Sequence, residues 1–152
     1  MKVKFNPMFF LLILCTGCSS LTLQPGDFAW PVESVTKVDA SGTVVDNQYY
    51  FTLNVKNLLF AETQDSVHLS DISVRIIRDG RGFYFITAPK FKNVYVFQQI
   101  DGGLKAVSTI LVSKDGLINP AMNQRPPYIQ LLQDSSSPTL LTKDGVAEGE
   151  KK

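Results

Sequence analysis

The sequence predicts an all-β domain: a single antiparallel β-sandwich or small barrel of about eight short strands behind a cleaved signal peptide. Three observations predict it. Apolar residues recur at every second position through most of the chain. Turn residues interrupt that alternation at roughly 10–15-residue spacing. No window longer than two turns sets apolar residues at helical spacing. With 152 residues, 44% of them hydrophobic, the chain can bury a core as one domain.

The first element is a leader. Lys2 and Lys4 form a short positive region, Met8 to Leu14 an apolar core, and Thr16 and Gly17 are small residues before Cys18. The apolar run is too short to span a bilayer, and the layout is that of a secretory signal peptide at residues 1–17. Its end, Leu14-Cys15-Thr16-Gly17-Cys18, resembles the lipobox of bacterial lipoproteins. Cys15 stands where leucine is usual, with Leu14 one residue earlier. The resemblance covers about the first 20 residues. It implies cleavage before Cys18, lipid on that cysteine and attachment to a membrane. Ser19 stands where such proteins carry the aspartate that holds them in the inner membrane, which points to the outer membrane; its periplasmic face is expected over the cell surface.

The anchor implies that Cys15 leaves with the leader and Cys18 carries lipid. No cysteine then remains for disulfides, thiolate catalysis or metal ligation. Loss of Lys2 and Lys4 moves the formal charge from +1 to −1. A surface so close to neutral makes no electrostatic case for nucleic acid.

Residues 18–27 form a short tether ending in the turn pair Pro25-Gly26, and residues 28–146 the domain. Strands follow in order. Val32 to Val38 alternates before the turn at Asp39 to Gly42. Tyr49, Phe51, Leu53 and Val55 share one face of the next run, and Ile72, Val74 and Ile76 one face of another. Asp79-Gly80 turns the chain into Phe83 to Thr87. Val94 to Ile100 returns across Asp101-Gly102-Gly103 into Leu104 to Ser113, with Leu104, Ala106, Ser108, Ile110 and Val112 expected to face one way. Pro120, Pro126 and Pro127 are expected to break regular structure until Tyr128 to Leu132. Thr139 to Thr142 is the last strand, and residues 147–152 are a polar tail.

The chemistry-bearing residues are few. His68, the only histidine, lies between Asp65 and Asp71, whose odd separations from it point them to the opposite side of a strand. No nucleophile elbow, phosphate loop or zinc motif accompanies it. Glu33 and Glu62 are the acids least explained by turns, and they are the pair a carboxylate hydrolase would have to bring together. Arg75, Arg78, Arg81, Lys90 and Lys92 concentrate positive charge, which reads as a hairpin edge guarded against aggregation or as an anion-attracting side.

The aromatics are the most informative set. Alternation cannot bury Phe83, Tyr84 and Phe85 on one face, so either both sheet faces are covered or one presents an aromatic strip to a partner. Trp30, Tyr50 and Tyr84 are the binding candidates from that set. Arg125 and Tyr128, flanking Pro126-Pro127, are candidates on an exposed loop or crossover. The expectation is a lipid-anchored envelope lipoprotein without catalytic residues, metal or cofactor, acting as a binding or accessory subunit beside an envelope protein. The alternative is a module for a lipid, glycan or hydrophobic small molecule.

Overall fold

The computed structural model describes residues 28–64, 72–134 and 137–147. Cys18, the tether 18–27, His68 with Asp65 and Asp71, and the tail beyond Ala147 lie outside those residues. The strands described are β1 (Ser34–Lys37), β2 (Thr43–Asp46), β3 (Phe51–Asn54), β4 (Ser73–Arg78), β5 (Phe83–Thr87) and β6 (Asn93–Ile100). They continue as β7 (Gly103–Leu111), β8 (Ala121–Arg125), β9 (Tyr128–Leu132), β10 (Thr139–Thr142) and β11 (Gly145–Val146). One helix, α1 (Lys56–Thr63), follows β3.

The fold is all-β and antiparallel. Its strands form three sheets instead of one sandwich: five strands in the order β1-β4-β5-β6-β7, four in the order β11-β10-β9-β8, and the pair β2-β3. Among the described residues no helix is long and apolar enough to cross a membrane.

The five-stranded sheet is covered on both sides, which answers the Phe83-Tyr84-Phe85 question. Opposed residues in an antiparallel ladder share a face. Ile76 pairs with Ile86, and Ile77 with Phe85; the pairs point to opposite faces, yet all four are at most 2% exposed. One face carries Ile77, Phe85, Val94, Val96 and Ile110 and meets the four-stranded sheet, which contributes Met122, Ile129, Leu131 and Leu141. Polar ties join these layers: the Met122 N–H donates to Glu33 Oε2 at 2.9 Å, the Ser108 hydroxyl to the Lys143 carbonyl, and Gln124 Nε2 to the Arg78 carbonyl.

The other face carries Ile76, Tyr84, Ile86 and Tyr95 beneath β2-β3 and α1. Val44 and Leu59 drop into it fully buried, and Ser34 donates to the Asp46 carboxylate. Glu62 at the end of α1 accepts from Lys92 N, Asn93 Nδ2 and the Tyr95 hydroxyl, at 2.7, 2.7 and 2.8 Å. Burial and that carboxylate push the Tyr95 phenol up to about 12.

Three features differ from the sequence reading. The prolines bracket a strand instead of breaking one: β8 runs between Pro120 and Pro126, and Pro126-Pro127, joined by a cis peptide, is the two-residue turn into β9. The expected loop or crossover there is thus a tight hairpin end, where missing N–H groups are harmless.

β7 does not keep one face. Phe97 pairs with Ala106 while Val96 pairs with Ser108, which leaves Val107 as a bulge. Leu104 and Ala106 therefore face the β2-β3 side, and Ser108 and Ile110 the other sheet.

The positive cluster is also divided. Arg75 pairs with Glu33 on one face, Arg78 is buried on the other, and Arg81 lies against Asp79.

Candidate functional site

Between the β2-β3 and β6-β7 hairpin ends the molecule has a cleft of about 380 Å³. Its floor begins with Trp30, whose N–H donates to the Arg78 carbonyl at 2.9 Å and so continues the edge of the sheet. The indole is 7% exposed. Tyr49 stacks on it with centroids 3.9 Å apart and planes 1° from parallel. Phe51 lies at 5.4 Å, and Tyr84 meets the indole edge-on at 5.5 Å. Both geometries suit the ring quadrupoles.

Local interactions fix these rings. The Tyr49 hydroxyl donates to the Val32 carbonyl at 2.6 Å, and its N–H donates to Asp46 Oδ1, also at 2.6 Å. Asp46 is in turn tied to Ser34 of β1, so the hairpin end is pinned to the central sheet. Tyr84 carries the Arg78 guanidinium over its ring at 5.7 Å and donates its hydroxyl to Gln99 Oε1 at 3.2 Å.

The opposite wall is the β6-β7 end. Ile100 pairs with Gly103 across Asp101-Gly102, and Gly102 at φ +79° supplies the left-handed residue that a two-residue turn requires. The Val107 bulge rotates Leu104 toward the cleft. Leu53 and Ile76 complete the aliphatic lining, and Thr52 and Gln99 are its polar side chains. Among the described lining residues no side chain carries a charge.

Tyr50 stands at the mouth. It is 90% exposed and adopts φ +54°, a left-handed backbone that tyrosine rarely takes. Packing does not offset that strain, because the ring touches little. Ile100, 49% exposed, faces the mouth from the other hairpin.

Of the five residues singled out from sequence, Trp30, Tyr50 and Tyr84 come together here. Arg125 and Tyr128 do not. They oppose each other beside the β8-β9 turn, with Arg125 exposed and Tyr128 half-buried. The Arg78 carbonyl links the two regions, accepting from Trp30 N and, at 2.6 Å, from Gln124 Nε2.

Sequence reasoning missed Gln99, Ile100, Leu104 and the lining role of Tyr49 and Phe51. The Asp-Gly turn beside Gln99 was legible, but nothing local shows that this turn approaches residues 49–53.

Glu33 and Glu62 lie on opposite sides of the central sheet. Glu33 is occupied by Arg75 and the Met122 N–H, and Glu62 by three donors of the β6 region. Burial raises the Glu33 carboxyl above its ordinary range, against the pull of Arg75 and Met122. Among the described residues no group of three or more His, Cys, Asp or Glu side chains gathers to hold a metal ion. Comparison with protein-family models, with curated proteins and with solved structures finds no match for this chain.

Proposed function

We propose that this chain is a lipid-anchored lipoprotein of the cell envelope that works by binding, as an accessory subunit whose recognition surface is the aromatic cleft. The single observation that carries the reading is Tyr50, an exposed aromatic held on a strained backbone at the mouth of an uncharged cleft. Strain of that kind persists where something other than fold stability favours it.

Location and geometry support each other. Phe28 opens the described chain beside this site, its carbonyl accepting from Arg78 Nη1 at 2.5 Å. Residues 18–27, fully extended, reach at most about 35 Å. Lipid on Cys18 therefore keeps the cleft within a domain's width of the bilayer. Two or three acyl chains, at about 0.8 kcal/mol per buried methylene, make that attachment effectively permanent. The outer membrane, periplasmic face, is the proposed site.

In-cell crosslinking of the lipidated chain, followed by mass spectrometry, tests this reading. The same envelope component should be captured repeatedly, and its recovery should collapse in Tyr50→Gly. Capture unchanged in that variant would move the recognition surface elsewhere. A second reading, direct binding of a small neutral ligand, is favoured by the cleft volume, which falls in the range of small-molecule sites.

A further inference from the structure

We infer that the cleft takes a neutral glycan, with Tyr50 as the exposed stacking platform for a sugar ring; this rests on the cleft being the recognition surface. A pyranose ring presents a face of C–H groups and a rim of hydroxyls. It asks of a protein one accessible aromatic face, a few uncharged hydrogen-bonding groups and no unpaired charge.

The cleft supplies each of these. The Tyr50 ring is 90% exposed beside the lining. The Tyr84 hydroxyl takes up Gln99 Oε1, which leaves the amide N–H groups of Gln99 free to donate. Thr52 also lines the site.

The competing ligand chemistries fit less well. An ionic ligand would lose water and gain no counter-charge from the described lining residues, none of which is charged. An alkyl chain would cover the Gln99 amide N–H groups and leave them unpaired. A sugar satisfies both the Tyr50 ring and the Gln99 amide.

Trp30 is the only tryptophan in the chain, so its emission reports on this site alone. The lipidated full chain, reconstituted in phosphatidylcholine nanodiscs, would be titrated with maltotetraose, cellotetraose and chitotetraose. The expected result is a saturable change in Trp30 emission with at least one of them, weakened about fivefold or more in Tyr50→Gly and retained in Tyr50→Trp when read by calorimetry. No change with any sugar up to about 10 mM would overturn the inference. So would equal binding by the wild type and Tyr50→Gly. A response to decanol but to none of the sugars would assign the cleft to an apolar chain and overturn it as well. Failure here with Tyr50-dependent crosslinking intact would remove the glycan and leave the cleft as the recognition surface.

Discussion

Tyr50→Gly separates what the cleft does from what holds it together. A left-handed backbone costs a non-glycine residue about 1–2 kcal/mol, and glycine removes that strain. Against this, glycine adds about 0.5–1 kcal/mol of unfolded-state entropy. The ring itself contributes little. With Tyr50 90% exposed, only about a tenth of the roughly 1.5–3 kcal/mol for a fully buried large side chain is lost. The net change lies between about zero and 1 kcal/mol in favour of the variant. In a domain of this size that is a rise of at most about 4 °C in Tm. Thermal unfolding by circular dichroism reads this directly, with strand-dominated spectra in both proteins. A fall of more than about 5 °C would show that Tyr50 is a packing residue, and the reasoning from strain to recognition would fail.

Trp30→Ala should cost about 3–5 kcal/mol in urea unfolding, because Tyr49, Phe51 and Tyr84 all pack on the indole; a loss below about 1 kcal/mol would contradict that floor. Glu33→Gln tests the buried carboxyl between the sheets. Folding raises the Glu33 pKa, so its stabilising contribution is full below the ordinary carboxylate value and is lost as pH rises through the folded one. The Tm of wild type minus that of Glu33→Gln should thus be more positive at about pH 4 than at about pH 7, and a difference independent of pH would refute the assignment. Cys18→Ala should leave the chain unprocessed or release it from membranes on fractionation; unchanged processing and attachment would end the anchor proposal.

The all-β class was legible because alternation and turn chemistry are local. Asp79-Gly80 and Asp101-Gly102 announce their hairpins, and eight of the strands carry enough apolar alternation to read. The three that do not are short or ambiguous. β2 is Thr-Val-Val-Asp, β11 is two residues long, and β8 has Met122 as its single large apolar residue. Helix α1 has no readable stripe because Leu59 alone is buried in it. The Val107 bulge is invisible in sequence, since an alternating run looks the same with or without one unpaired residue, yet it reverses the faces of everything after it.

The site was legible in composition and not in place. Phe83-Tyr84-Phe85 demanded two covered faces or an exposed strip; the structure covers both faces and leaves Tyr50 as the most exposed ring among the described residues. That Trp30, Tyr50 and Tyr84 meet, while Arg125 and Tyr128 stay on another sheet, follows from long-range contacts: β1 pairs with β4, and the Trp30 N–H meets the Arg78 carbonyl. Separations of that kind carry no local signal.

The most direct test of the cleft as recognition surface is site-specific photocrosslinking in living cells. A benzophenone side chain would replace Tyr50 in one strain and Asn123, exposed on β8 of the four-stranded sheet, in another. The account predicts a recurring envelope component crosslinked from position 50 and none from position 123. Equal capture from both positions, or capture from 123 alone, would contradict it.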